Sequence, residues 1–153
     1  MKNIKGLAVS IVLGIVIAAA VIVFLIPPKE RSMSEQKCLN NLRQIAEAVK
    51  LYAADNEGLC PPGLKALEPK YMQAPFERWG ICHTARKEGK PGHYLYWGSG
   101  KTLKDIPADR PLVADYPGNH GEGGNVVYPE GKYKWIPKNY EEFIRPYMDK
   151  KLE

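Results

Sequence analysis

The sequence has few of the side chains that most often bind metals or carry out catalysis. It contains three Cys and three His in 153 residues, and no Cys-x-x-Cys pair occurs. Structural zinc sites and c-type haem attachment usually depend on such a pair, and Trp79 stands where a haem site ending at Cys82 and His83 would need another Cys. No catalytic triad, paired-carboxylate or metalloenzyme motif is present either. The sequence therefore predicts a protein that is not an enzyme and that needs no cofactor.

A strong excess of charge of one sign is also absent. The residues that follow position 28 hold 20 basic and 17 acidic side chains. A groove for nucleic acid needs clustered Lys and Arg and a larger positive excess. We therefore expect no nucleic acid among the partners.

One long hydrophobic run stands out, because residues 6–26 contain no charged side chain. At about 1.5 Å per residue, this run spans roughly 31 Å as a helix, which matches the hydrocarbon core of a bilayer. A cleaved signal peptide is the alternative, but the run is long and has no polar cleavage boundary after its three consecutive Ala. We predict a single-pass anchor over residues 1–28 in the cytoplasmic (inner) membrane. The short basic tail stays inside, and residues 29–153 form one domain outside.

The first part of that domain, residues 29–58, reads as an amphipathic helix. Ser34 can cap its start, and the Asn-Glu-Gly sequence at 56–58 supplies its end. Apolar side chains recur at i, i+4, i+7, i+11 and i+14, namely at Cys38, Leu42, Ile45, Val49 and Tyr52. This spacing predicts one apolar face along the helix.

The remaining residues, 59–153, contain 11 Pro and 11 Gly, which excludes long helices and favours short strands. We predict strands at residues 93–97, 111–115, 125–128 and 132–136. The last two are joined by a three-residue connection whose Gly131 suits a positive φ. Asn139 and Glu142 resemble a capping box for a short terminal helix that Pro146 limits. The predicted fold class is α+β, with the amphipathic helix packed on a small antiparallel sheet.

Two stretches resemble a known class of proteins. Residues 38–62, CLNNLRQIAEAVKLYAADNEGLCPP, are similar to the helix motif Cys-x-x-Asn-Leu-Arg-Gln-Ile followed by Tyr-Ala-x-Asp-Asn-x-Gly and a Pro. Residues 120–136, HGEGGNVVYPEGKYKWI, resemble a C-terminal signature in which a His is followed after nine residues by Asp-Gly within a hairpin. Together they resemble type II secretion pseudopilins and type IV pilins, in the form abundant in planctomycetes, verrucomicrobia and lentisphaerae. The resemblance implies a pilin-like fold.

Four residues of this chain align with positions of the C-terminal signature, namely His120, Glu130, Gly131 and Trp135. Glu130 stands where the class has Asp, and Lys132 stands where it often has His. At the other end of the chain, Lys5-Gly6 resembles a prepilin peptidase site. Ile11, however, occupies the place of the glutamate that pilins use to pair with a neighbouring copy.

The three Cys are an odd number, so outside the membrane we expect one disulfide and one free thiol. A bond between Cys60 and Cys82 would close a loop of about 20 residues. A bond between Cys38 and Cys82 is the pairing that the resemblance implies. Both remain open at this stage.

A polar cluster precedes the predicted hairpin, consisting of Asp115, His120, Glu122 and Asn125. Its carboxylates and carbonyls are potential ligands for Ca²⁺, as the resemblance to pseudopilins with calcium-binding loops also implies. The alternative, which we favour, is that His120 bonds the backbone of the turn while neighbouring glycines allow tight geometry.

Two functions follow as hypotheses. The first is a pseudopilin-like structural or assembly protein of a type II secretion or pilus-like system. Its partners would be the membrane and either other proteins or further copies, reached through the N-terminal helix. The second is a membrane-anchored extracytoplasmic binding module for a polysaccharide or protein ligand. The many Tyr and Trp side chains would serve the second function if exposed, but we expect most of them to fill the core.

Overall fold

The computed structural model describes residues 32–89 and 92–148. No helix in these two ranges is long and apolar enough to cross a membrane, and the predicted anchor at residues 1–28 lies outside them. Within the described ranges, two 3₁₀ turns occur, at Leu64–Leu67 and Leu103–Asp105. The regular elements are, in chain order, α1 (Met33–Asp55), α2 (Phe76–Trp79), α3 (His83–Lys87), β1 (Leu95–Tyr96), β2 (Val113–Ala114), β3 (Gly124–Val127), β4 (Tyr133–Ile136) and α4 (Tyr140–Met148).

The predicted amphipathic helix is confirmed as α1, but its start differs from the prediction. Ser32 caps it: its Oγ accepts a hydrogen bond from the Glu35 amide at 3.2 Å, and the Glu35 carboxylate accepts one from the Ser32 amide at 2.8 Å. Ser34, the predicted cap, lies inside the first turn. The helix stops where Gly58, with φ +88°, donates its amide to the Ala53 carbonyl.

The four strands form one antiparallel sheet in the order β1-β2-β3-β4, so the predicted α+β class is confirmed. All four strands lie within the predicted segments except for Gly124 at the start of β3. The first two have only two residues each, shorter than predicted. The β3–β4 hairpin turns at Gly131, whose φ of +87° agrees with its predicted role.

The sheet is covered on both faces. Val113 and Val127 pack into the core formed with α1, whereas their neighbours Ala114 and Val126 pack against α4. This alternation follows from the pleat, which sends successive side chains to opposite sides. The sequence predicted the helix on one face but did not place the terminal helix on the other.

The terminal helix α4 also begins differently from the prediction. Asn139 has a φ of +56°, a left-handed conformation, whereas the first residue of a capping box is extended. The Tyr140 amide instead donates to the Glu122 carbonyl at 3.1 Å. Pro146 lies inside the helix, which ends at Met148 among the described residues.

Candidate functional site

Four buried side chains meet at one end of the sheet, on the face that α1 covers. Cys38 comes from α1, Cys82 directly precedes α3, Asp115 directly follows β2, and His120 lies in the glycine-rich loop before β3. One potential ligand atom from each lies within 4.8 Å of the others. Cys38, Cys82 and Asp115 are 0% exposed and the His120 side chain is 1% exposed. We refer to these four residues as the Cys/His/Asp cluster.

The sulfur, nitrogen and oxygen atoms of the cluster are in direct contact. The two Sγ atoms of Cys38 and Cys82 are 2.9 Å apart, which is longer than the roughly 2.05 Å of a disulfide bond. Nε2 of His120 lies 3.5 Å from the Cys82 Sγ and 3.4 Å from Oδ2 of Asp115. One ring nitrogen therefore faces both a thiol and a carboxylate.

The orientation of the His120 ring is set by its surroundings. Its other nitrogen, Nδ1, lies 3.4 Å from the Thr84 hydroxyl, and the edge of its ring meets Trp135 at a centroid distance of 6.1 Å. A Cβ added at Gly123 would lie 2.7 Å from the Trp135 ring, so only glycine lets the loop approach this ring. Gly121, with φ +66°, turns the loop beside His120. These glycines thus allow His120 to reach the sheet.

Asn125, on the neighbouring strand β3, holds the Asp115 carboxylate in place. The Oδ2 atom of Asp115 accepts hydrogen bonds from both the backbone amide and the side-chain Nδ2 of Asn125, each at 2.8 Å. The Tyr140 hydroxyl donates to the Asp115 carbonyl at 2.5 Å. The second carboxylate oxygen, Oδ1, is buried and has no hydrogen-bond partner among the described residues. One acceptor of Asp115 is therefore left for another group.

Burial and mutual contact shift the pKa values of the cluster. Burial alone would lower the pKa of His120, but its hydrogen bonds and charge interactions with Asp115 and Cys38 raise it to about 10. The hydrogen bond between the two thiols lowers the pKa of Cys38 to about 4 and raises the pKa of Cys82. Burial raises the pKa of Asp115. Mutual contact therefore favours the thiolate form of Cys38 and the protonated form of His120.

This arrangement does not suit nucleophilic catalysis. In a thiol–imidazole–carboxylate relay, the nucleophile and the carboxylate contact opposite nitrogens of the ring. Here both Cys82 and Asp115 face Nε2, and neither is accessible to a substrate. Two sulfurs, one imidazole nitrogen and one carboxylate oxygen are, however, a donor set that binds metal ions.

The structure brings together three of the four predicted calcium ligands, at Asp115, His120 and Asn125. Glu122 is exposed and lines a separate surface cavity with residues of α4. Two sulfurs at the centre of the cluster do not suit Ca²⁺, which takes oxygen ligands. The favoured alternative also differs from the structure, since the ring of His120 contacts the side chains of Cys38, Cys82, Thr84 and Asp115 and not backbone groups of the turn.

Of the two cysteine pairings considered, only Cys38 with Cys82 brings the sulfurs into contact in the structure. Cys60 is buried elsewhere, next to Tyr96, and burial raises the pKa of its thiol. Sequence reasoning therefore named all four cluster residues, but in two separate groups. It missed their meeting point, because only the fold places the cysteine pair against Asp115 and His120.

The signature residues separate into two locations. His120 and Trp135 pack together at the cluster, whereas Glu130 and Gly131 form the distant hairpin turn. The two substituted positions of the signature interact with each other, since Lys132 Nζ lies 2.8 Å from the Glu130 carboxylate in an exposed ion pair.

No protein-family model, no curated protein and no solved structure matches this chain.

Proposed function

We propose that the chain is a non-catalytic, pseudopilin-like assembly protein that is anchored through residues 1–28. Its α+β domain would lie outside the cytoplasmic membrane. The observation that carries the proposal is the placement of α1. This helix of 23 residues begins shortly after the hydrophobic run and packs along an antiparallel sheet, the element order of a pilin-like subunit.

The buried and the exposed side of α1 both suit a helix that holds the domain rigidly. Leu42, Ile45 and Val49 are 0% exposed and fix the helix to the sheet, while the exposed side carries polar residues such as Arg43 and Glu47. A helix held along its length transmits the position of an anchor to the whole domain. In this mechanism the hydrophobic runs of neighbouring copies pack laterally, and the sheet presents its loops to partners.

The interior of the domain supports a structural role over a catalytic one. The Cys/His/Asp cluster is closed to solvent, as described above. Four large aromatic side chains fill the interior of the domain, with Trp79, Trp97 and Tyr94 each 6% exposed and Tyr140 1% exposed, and most of the others are partly buried. These rings stabilise the domain by burial and leave few exposed platforms for ligands.

Disulfide cross-linking in native membranes tests the assembly function. Ile11→Cys places a thiol in the hydrophobic run. The three native cysteines are buried and therefore do not need to be replaced in this experiment. If copies associate through this run, mild oxidation produces a covalent dimer with Ile11→Cys, and a second thiol at another position in the run extends it to a ladder of oligomers. Lys104→Cys, at an exposed position in the domain, is the control for random collision and should remain monomeric. Monomers in both variants would contradict the proposal.

A groove beside α1 favours a second function, an anchored polysaccharide-binding module. It has a volume of about 620 Å³ and is lined by amide and aromatic groups, including Asn41, Gln44, Gln73 and Tyr71. Amides and ring faces are groups that bind sugar hydroxyls and apolar sugar faces. Retention on immobilised polysaccharide that is lost in Gln44→Ala, but kept in Lys104→Ala, would support this second function.

A further inference from the structure

We propose that the Cys/His/Asp cluster is a structural zinc site in which Cys38, Cys82, Asp115 and His120 are the four ligands. The proposal is independent of the assembly function, since it concerns the interior of one domain. Structural zinc sites are closed, tetrahedral and built from thiolate, imidazole and carboxylate groups. The cluster supplies four such donors and is closed to solvent.

Two of the distances between donors, both measured from His120, fit a tetrahedral ion. With Zn–S of about 2.3 Å and Zn–N and Zn–O of about 2.0–2.1 Å, a tetrahedron places S and N about 3.5 Å apart and N and O about 3.3 Å apart. The Cys82 Sγ–His120 Nε2 distance is 3.5 Å and the His120 Nε2–Asp115 Oδ2 distance is 3.4 Å. The two sulfurs, now 2.9 Å apart, would separate to about 3.8 Å around the ion.

The groups around the donors are those that orient metal ligands. Nδ1 of His120 faces the Thr84 hydroxyl, which leaves Nε2 for the ion, and the His83 amide donates to the Cys38 Sγ at 3.2 Å. Second partners of this kind fix the ring orientation and stabilise a thiolate. Asn125 fixes the Asp115 carboxylate in the same way from the next strand.

The buried carboxylate of Asp115, only one of whose oxygens is hydrogen-bonded within the described residues, is an independent observation that points to a ligand. Buried polar atoms are nearly always hydrogen-bonded, yet Oδ1 of this fully buried residue has no partner within the described ranges. A disulfide between Cys38 and Cys82 would use only the two sulfurs and leave the buried carboxylate and imidazole as they are. A metal ion would bind both sulfurs, the imidazole and one carboxylate oxygen, and its positive charge would compensate the buried carboxylate, which is why we prefer it.

A zinc ion here would join four parts of the fold. The ligands come from α1, the start of α3, the end of β2 and the loop before β3, and the two Cys are 44 positions apart in the chain. Binding would therefore connect the helix to the sheet at one end. Free energy of metal binding becomes free energy of folding when the unfolded chain lacks the site.

Metal content of the full-length chain tests the proposal directly. The chain is purified in mild detergent with a non-chelating phosphine reductant, incubated with zinc chloride, desalted and analysed by elemental mass spectrometry. We expect one zinc per chain, and its loss in His120→Ala and Cys38→Ser. His93→Ala and Cys60→Ser are the matched controls, since His93 is exposed and Cys60 lies outside the cluster, and both should keep the metal.

A further variant keeps the test informative if the ligand variants fail to fold. Thr84→Val preserves the shape of the side chain but removes the partner of Nδ1, and we expect it to weaken zinc binding about 10- to 100-fold in competition with a chromophoric chelator. Cobalt(II) in place of zinc should give the visible absorption of a tetrahedral thiolate site, and this absorption should be absent in Cys38→Ser.

Three results would overturn the proposal. The first is a reduced, folded chain that takes up no zinc. The second is zinc content that is equal in wild type and His120→Ala, which would indicate binding elsewhere. The third is a chain isolated from cells by acid trapping that carries a Cys38–Cys82 disulfide and no metal, because an oxidised pair cannot supply thiolate ligands.

Discussion

The two faces of the sheet are built from the same strands but differ in chemistry. The face under α4 is apolar, with Ala114, Val126 and Ile144 buried around the ring of Tyr140. The face under α1 begins with apolar packing and ends in the Cys/His/Asp cluster. Apolar packing needs only the right volume, whereas buried polar groups destabilise the fold unless each finds a partner. The buried polar groups on the α1 face therefore need polar partners, which apolar packing does not provide.

Even the apolar face depends on one specific fit. A Cβ at Gly124 would lie 2.5 Å from the Tyr140 ring, so glycine leaves the space that this ring fills. The Tyr140 hydroxyl then reaches the Asp115 carbonyl, next to the cluster. The two faces are therefore connected through Tyr140, and substitutions can measure each contribution separately.

The largest expected difference between the faces is in apolar packing. Leu42→Ala removes a fully buried side chain from the long helix, and we expect a loss of about 2–5 kcal/mol in the free energy of unfolding. Ile144→Ala removes a side chain of equal burial from the short helix α4, which can relax into the space, so its loss should lie near the lower end of that range. Urea denaturation followed by circular dichroism measures both. A larger loss for Ile144→Ala would reverse this ranking of the faces.

A smaller effect is expected from the polar end of the α1 face. Asn125→Ala removes the buried side-chain donor to Asp115, and we expect a loss of about 1–3 kcal/mol in the free energy of unfolding because a buried carboxylate loses a hydrogen bond. Asn40→Ala, at an exposed position on α1, is the matched control and should change stability by less than about 0.5 kcal/mol. Equal losses in the two variants, from the same denaturation measurement, would show that the carboxylate does not depend on Asn125.

The Tyr140 hydrogen bond, which connects the two faces, is expected to contribute less to the free energy of unfolding than the Asn125 contact does. Tyr140→Phe keeps the ring but removes the buried hydroxyl that donates to Asp115, with an expected loss of about 1 kcal/mol. Tyr133→Phe removes an exposed hydroxyl from β4 and should leave the midpoint of urea denaturation unchanged. If Tyr140→Phe also leaves it unchanged, the two faces are energetically separate.

Local patterns in the sequence were sufficient to predict much of this fold. The apolar spacing from Cys38 to Val49 predicted α1, and Gly131 predicted the hairpin turn, because each pattern depends on residues that are close in the chain. The exact cap at Ser32 was missed, since Ser34 fits the same pattern two residues later. The shortness of β1 and β2 was also missed, because strand length depends on neighbouring strands.

The candidate site was less predictable for a physical reason. Cys38 and Cys82 are 44 residues apart, and His120 reaches them only because the loop folds back against Trp135. The sequence grouped Asp115 and His120 by their proximity in the chain and Cys38 and Cys82 by resemblance. Joining the groups requires knowing that Asp115 faces α1 and not α4. A shift of one residue in strand register would send its side chain to the other face.

The smallest expected effect lies outside both faces, at the exposed end of α1. Asp55 accepts a hydrogen bond from Lys70 at 2.7 Å and another from the Tyr71 hydroxyl at 2.9 Å, and these contacts lower the pKa of Asp55 below its usual 3.8. The stability that follows from this shift is present above pH 3.8 and is lost as the pH falls through the lowered value. Asp55→Asn should therefore be slightly less stable than wild type at neutral pH, with the difference disappearing in acid.

High salt should also reduce this difference at neutral pH, because exposed charges are screened. The buried contacts of Asn125 and Tyr140 are expected to respond little to salt, so parallel denaturation in low and high salt separates surface electrostatics from the polar interior. A salt-independent, pH-independent loss in Asp55→Asn would indicate that Asp55 stabilises the helix end by neutral hydrogen bonding to Tyr71. In that case the ion pair with Lys70 would contribute nothing measurable.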